Sequence, residues 1–234
     1  MESEVLSVNA IALPWERIDT VLLDMDGTLI DLYFDNHFFL EHLPRRWGEA
    51  HGLALAEAQA ELHRRAARVA GTLDWYCLDF WARELEIDIL ALKAEIGHLV
   101  NWRPHAPAFL QALAAGGKRR VLATNAHPGS IGFKFERVAL ADRFDARYSA
   151  HELGAPKEHA AFWDRLQERE GFDPERTLFV DDNAEVLASA RAWGIGQLLG
   201  IQRPDSRRPP NELHGVTAVH DFDAVVPPPA DQGR

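Results

Sequence analysis

A doubly wound, parallel α/β sheet with a block of helices inserted after its first strand is the fold the sequence predicts. Three observations predict it. The short apolar runs Val21-Leu22-Leu23, Val121-Leu122-Ala123 and Leu178-Phe179-Val180 each stop abruptly at polar residues, as buried parallel strands do. Helical patterning separates the runs, and strands alternating with helices imply parallel pairing. Between Asp31 and Trp102 no strand pattern occurs. Apolar residues there recur at helical spacing, at Phe38, Phe39, Leu43 and Trp47, then at Leu55, Ala58, Leu62 and Ala66.

In chain order, residues 1–19 read as a polar lead-in with Pro14-Trp15 packed on the body, and the first strand is expected at Thr20–Asp24. Helical segments follow through Trp75–Leu85 and Asp88–Leu99, with Pro44 starting or bending a helix. Pro104 and Pro107 bracket a return, and a helix runs to Ala115 ahead of Gly116-Gly117. Strand two is Arg120–Thr124, a helix spans Ser130–Ala141, and a short strand lies near Ala146–Ser149. Gly154-Ala155-Pro156-Lys157 leads into a helix that reaches Glu170. The fourth strand is Thr177–Val180, and its helix ends at Trp193 with Gly194 as C-cap. Gln197–Ile201 is a fifth strand, and Val216–Val219 a late one. The expected division is a core of residues 1–30 and 103–226, a helical subdomain over 31–102, and a disordered tail over 227–234.

With 234 residues, 47% of them hydrophobic and 26% charged, the chain suits one or two globular domains with a substantial core. A formal net charge of −11 argues against a nucleic-acid partner, since tracking phosphates requires basic stripes. A small anionic ligand remains compatible, because one lysine, a metal and helix N-termini supply positive potential locally. Cys77 is the one cysteine, which points to a reducing compartment. Met1-Glu2-Ser3-Glu4 lacks the basic start and long apolar core of a signal peptide, and no stretch reaches the length of a membrane span. The expected location is cytoplasmic, with no membrane partner and an oligomeric state left open.

Chemistry concentrates where strands end, the edge at which open α/β sheets bind ligands. The first strand closes on Asp24-Met25-Asp26-Gly27-Thr28. Extended geometry would point the Asp24 and Asp26 side chains the same way. Gly27 lets the backbone turn, and Thr28 can hydrogen-bond a neighbouring carboxylate. The second strand closes on Thr124-Asn125-Ala126-His127, Lys157 follows Pro156 before a helix, and the fourth strand closes on Asp181-Asp182-Asn183. Taken singly, these read equally as a turn, a helix cap or a solvated lysine. In a parallel sheet they share one edge and converge.

Over residues 18–205 the four motifs, in this order, resemble those of the haloacid dehalogenase superfamily. The resemblance implies a Rossmann-like core. It makes Asp24 the nucleophile that forms an aspartyl-phosphate, and Asp26 the acid that protonates the leaving oxygen and then the base for the attacking water. Mg²⁺ is the implied cofactor, held by a side-chain oxygen of Asp24, the backbone carbonyl of Asp26, and Asp182. For Asp181, direct ligation, ligation through water and holding Lys157 all stay open. Thr124, Asn125 and the following amides would cradle phosphate oxygens, and Lys157 would neutralise both phosphate and nucleophile. Asp26 and the acid pair disfavour the dehalogenase branch, which attacks carbon without a metal.

The helical segment over 31–102 stands where that superfamily carries a mobile cap. The stretches Leu32-Tyr33-Phe34-Asp35-Asn36-His37, Leu73-Asp74-Trp75-Tyr76-Cys77-Leu78-Asp79 and Thr124-Asn125-Ala126-His127-Pro128 resemble bacterial purine nucleotidases acting on GMP and IMP. The implied substrate is a small phosphate monoester, a purine 5′-nucleotide. Asp35 and Asn36 are then candidate base readers, and His127 is either a phosphate contact or a helix cap. Cap aromatics could stack on the base, though most aromatics belong to cores. Two other readings stand beside this one: a broad phosphatase acting on phosphoglycolate or sugar phosphates, and a non-catalytic module that binds phosphometabolites. The intact set Asp24, Asp26, Thr124, Lys157 and Asp182 argues against the last.

Overall fold

The computed structural model describes residues 10–229, so the expectations for Met1–Glu4 and residues 230–234 lie outside the described residues. β1 (Thr20–Leu23), β2 (Arg119–Thr124), β3 (Ala146–Ser149), β4 (Thr177–Asp181), β5 (Gln197–Ile201) and β6 (Thr217–Val219) form one sheet, in the order β3-β2-β1-β4-β5-β6. Every pairing is parallel. Alternation along the central strands shows why their sequences are uninterruptedly apolar. Val21 and Leu23 of β1 and Leu178 and Val180 of β4 enter one buried cluster, while Leu22 and Phe179 enter another on the opposite face. The register sets Leu23 beside both Leu122 and Val180, so β1, β2 and β4 finish along one edge. Strand order reverses between β1 and β4, the switch point at which open sheets leave a crevice.

Between β1 and β2 the chain forms α1 (Tyr33–His37), α2 (Leu43–His51), α3 (Leu55–Ala67), α4 (Leu73–Tyr76), α5 (Leu78–Leu85) and α6 (Ile89–Glu95), then α7 (Ala106–Ala115) returns to the sheet. The later crossovers are α8 (Pro128–Val138), α9 (Ala150–Leu153), α10 (Ala160–Glu170) and α11 (Ala184–Trp193). Phe162, Trp163, Leu166, Val186 and Leu187 bury one face of the sheet. Leu110, Leu113 and Phe135 bury the other, in a cluster that continues into the insertion through Phe34, Phe38, Trp47 and Trp81.

Pro44 bends the first inserted helix in a specific way. A π-helical turn, Phe38–His42, joins α1 to α2 with helical backbone angles at both junctions. Proline has no N–H to donate and its ring crowds the carbonyl four residues earlier. The wider turn just before Pro44 absorbs both effects while the helix continues. The segment expected over Trp75–Leu85 is broken at Cys77, whose backbone is extended, and α9 adds a short helix not expected after β3. α8 stops at Val138, short of the expected Ala141, because Ala139 turns left-handed at φ 49°.

Trp15 is buried as expected, and its indole N–H donates to the Val226 carbonyl at 2.7 Å. Of the tail expected to be loose from Pro227, Pro228 is buried, and a Cβ on Gly116 would lie 2.8 Å from its side chain. Among the described residues no helix is long and apolar enough to cross a membrane.

Candidate active site

The ends of β1, β2 and β4 deliver the site. Asp24 follows β1, and its Oδ1 lies 2.5 Å from Lys157 Nζ, which also lies 2.6 Å from Asp181 Oδ2 at the end of β4. Lys157 stands in the loop before α10, fixed through its backbone. Asn125 Oδ1 accepts its N–H at 2.9 Å, and its carbonyl accepts the indole N–H of buried Trp163 at 3.0 Å. Asn125 is braced in turn by donating to Glu158 at 3.0 Å. Tyr76 of α4 donates to the other Glu158 oxygen at 2.6 Å, so this brace spans insertion and core. Thr124 Oγ1 accepts the Ala126 N–H at 3.1 Å, which leaves its own O–H as a donor.

Gly27 is required twice. Its φ is +86°, and a Cβ there would sit 2.5 Å from an Asp182 carboxylate oxygen. Thr28, beyond this left-handed turn, does not make the expected carboxylate contact; it is fully buried and its hydroxyl has no partner.

Asp24, Asp181 and Asp182 each offer an oxygen within 4.8 Å of the others. Burial pushes the Asp24 carboxyl up to about 6 against the pull of Lys157. Burial, then repulsion from Asp181 and Asp24, drives Asp182 well above the usual range. Burial works against the Lys157 ammonium, but Asp181 and Asp24 outweigh it and hold the group charged. Three carboxylates face one lysine, and among the described residues Asp182 has no basic partner. The surplus negative charge and the all-oxygen donor set fit a hard divalent cation.

A second charged chain was not legible as such in the sequence. Asp26 Oδ1 lies 2.5 Å from Lys134 Nζ of α8, which lies 2.5 Å from Asp35 Oδ2 of α1. Asp35 Oδ1 lies 2.9 Å from Lys93 Nζ of α6. Both lysines are buried. Burial lifts Asp26 to about 6 despite Lys134, whereas for Asp35 the two lysines overcome burial and hold the carboxyl down to about 2. A signal existed: Ser130, Lys134 and Val138 fall four apart on one buried helix stripe, and Lys93 follows Ile89 by four in the same way.

Three expected substrate contacts are otherwise engaged. Both Asp35 oxygens are paired with lysines, Oδ1 with Lys93 and Oδ2 with Lys134. Asn36 donates to the buried Asp205 at 2.7 Å, in the loop after β5. His127 caps α8, its Nδ1 accepting the Gly129 N–H at 3.2 Å, with Nε2 facing Asp79 at 3.6 Å. Cys77 is half-buried rather than buried and caps α5 through Phe80 N–H.

One cleft of about 660 Å³ between sheet edge and insertion is bordered by the three acids of the first cluster, by Lys157, and by Asp26, Asp35 and Lys93 of the second chain, but not by Lys134. Asp24, Asp26, Thr124 and Lys157 line its polar part; Phe39, Leu40 and Trp75 line an apolar part. Those three are 38%, 47% and 41% exposed and give that part of the cleft an open apolar wall.

Comparison with known proteins agrees with this geometry. Two GMP/IMP nucleotidases named YrfG, from Escherichia coli and Shigella flexneri, are each 40% identical over 217 residues, covering 93% of this chain and 98% of theirs. The crystal structure of a HAD phosphatase from Thermococcus onnurineus superposes with a TM-score of 0.73 at 19% identity, covering 87% of this chain and 94% of that one. Residues 18–194 match the family described as haloacid dehalogenase-like hydrolase. The chain belongs to the haloacid dehalogenase-like hydrolases.

Proposed function

We propose that this hydrolase is a cytoplasmic, Mg²⁺-dependent phosphatase that removes the 5′-phosphate of purine nucleotides, GMP and IMP, through an aspartyl-phosphate on Asp24. The observation that carries the reading is one cleft holding an intact phosphoryl-transfer set at one end and an exposed apolar surface at the other. The nucleotide preference is supported by the 40% identity to the two nucleotidases.

Asp24, Asp182 and the Asp26 backbone carbonyl would hold the metal, with Asp181 engaged by Lys157 and the Asn183 N–H beside it. Bound there, Mg²⁺ offsets the repulsion between an attacking carboxylate and a phosphate dianion. An Asp24 oxygen forms the bond to phosphorus as the ester bond to the 5′-oxygen breaks. Asp26, protonated, delivers its proton to that departing oxygen, and its folded value of about 6 keeps a usable fraction protonated near neutrality. The resulting Asp26 carboxylate takes a proton from water, the water oxygen attacks phosphorus, and phosphate leaves with Asp24 restored. The Thr124 hydroxyl and the amides that follow it bind phosphoryl oxygens. Lys157 neutralises Asp24 and substrate together, while Asp181 keeps the ammonium in place. The segment over 31–102 acts as the cap, excluding water from this chemistry.

The test is phosphate release with Mg²⁺ from GMP, IMP, AMP, UMP and phosphoglycolate at equal concentrations. A clear preference for GMP and IMP is expected; equal rates would reduce the enzyme to a broad phosphatase. Two further expectations follow from the site. Trp75→Ala removes a stacking face, so KM for GMP should rise about tenfold with little change for an aryl phosphate. A matching rise for both substrates would remove Trp75 from base recognition. Asp182→Asn should melt higher than wild type without metal, because it removes a half-buried carboxylate that repels Asp24 and Asp181. Saturating Mg²⁺ should raise the wild-type midpoint by about 5 °C or more and leave this variant nearly unmoved. Equal metal responses would place the cation elsewhere.

A further inference from the structure

Lys134 is the feature of the site that the reaction scheme leaves unused. It sits on the buried stripe of α8 with Ser130, Phe135 and Val138 packed beside it, and the helix fixes its backbone. Its ammonium is shared between Asp26 and Asp35, each at 2.5 Å. Asp35 is held from the far side by Lys93, whose ammonium lies over the rings of Phe34, Phe38 and Phe39 at 4.8–5.0 Å. The result is an alternating chain of four charges, Asp26, Lys134, Asp35 and Lys93, in which Lys134 alone does not line the cleft. Such buried ionic chains are a poor source of stability, since apolar residues of similar volume do as well or better. A positioning role accounts for it: the chain is anchored on three helices and terminates on the acid/base.

We propose that Lys134 is a positioning residue that orients the Asp26 carboxyl group, occupying Oδ1 so that Oδ2 faces the leaving oxygen of the substrate. Asp35 and Lys93 serve Lys134 by denying the ammonium any other resting place. The proposal rests on the acid/base role given to Asp26 above. A lost hydrogen bond to one oxygen lets the carboxyl rotate about its Cβ–Cγ bond, and proton delivery to a departing oxygen is sensitive to such misplacement.

Leaving groups of different basicity isolate this effect. A nucleoside 5′-alkoxide cannot depart without a proton, whereas p-nitrophenolate can. kcat/KM covers substrate binding and every step up to formation of the aspartyl-phosphate and excludes its later hydrolysis. Ribose 5-phosphate, an alkyl ester without a base, is therefore run beside GMP, and a loss on GMP that it does not share would belong to base recognition and overturn the positioning role. Lys134→Met should lower kcat/KM for GMP about 100-fold and for p-nitrophenyl phosphate by no more than about threefold. Lys134→Gln keeps one donor and should recover part of the GMP rate; it also serves if the methionine variant does not fold. Asp26→Asn is the reference for the underlying reading, with the same selective loss in larger measure. Equal losses on both substrates in the Lys134 variants, beside a selective loss in Asp26→Asn, would overturn the positioning role alone. Equal losses in Asp26→Asn itself would overturn the acid role on which it rests.

Discussion

Asp24→Asn should abolish turnover of both GMP and an aryl phosphate, by at least about 10⁴-fold, while leaving the protein folded. The amide is nearly isosteric but a far poorer nucleophile. Stability should not suffer, because the substitution removes one of three carboxylates that face a single lysine. Lys157 keeps Asp181 as its partner at 2.6 Å, so no buried ammonium is stranded. Thermal melting without metal should therefore place the variant level with or above wild type. Phosphate release and a melting curve decide the matter together. Measurable turnover in a well-folded variant would mean that another group attacks phosphorus, and that the aspartyl-phosphate scheme is wrong.

The largest effect on stability is expected from Asp35→Ala. Among the described residues the side chain alone bridges Lys93 and Lys134, and its removal leaves two buried ammonium groups with Asp26 as their nearby partner there. Breaking a buried pair in this way costs about 3–5 kcal/mol, or a fall of about 10 °C in Tm for a chain of this size. The pH dependence has a definite sign. The folded carboxyl is depressed to about 2, so its contribution is complete above the unfolded value of about 4 and is lost as pH falls from there towards 2. The gap in Tm between wild type and variant should be constant from pH 5 to 8 and close below pH 4. A stable variant with a raised KM for purine nucleotides alone would return Asp35 to base reading.

The pairing of Asp35 with two distant lysines shows what the sequence carried and what it withheld. The sheet was legible because strands buried on both faces need uninterrupted apolar runs, and Val21-Leu22-Leu23 and Leu178-Phe179-Val180 have no other reading as economical. The meeting of Asp24, Asp181 and Asp182 was legible because strand ends of a parallel sheet lie together whatever their separation in the chain. Lys157 was placed beside them by Pro156 and the helix that follows. The partners of Asp35 and Asn36 were not. Lys93, Lys134 and Asp205 lie 58, 99 and 169 residues away from them, and each is a charged residue that local composition assigns to solvent. Only the burial of a helix stripe or a loop, a tertiary fact, makes them partners. The π-helical turn before Pro44 escaped for a similar reason. Proline announces an interruption, but packing decides between ending a helix and widening one turn of it.

The charged chain also bears on how this protein could change. Asp26 and Lys134 belong to the part of the chain that builds the sheet, whereas Asp35 and Lys93 belong to the inserted helices. Each part alone is electrically balanced within this group, yet the contact between the parts is made across the seam, from Lys134 to Asp35. Grafting a foreign helical segment that lacks an acid at this point would leave Lys134 with one partner and loosen Asp26 at the same stroke. Recombination at the seam would therefore damage catalysis before it altered specificity. Chimeras that preserve the Asp35–Lys93 pair should tolerate much wider replacement of the surrounding helices, including the aromatic surface at Phe39 and Trp75. New substrate preferences would then arise most readily by substitutions on that surface, not by exchange of the segment as a whole.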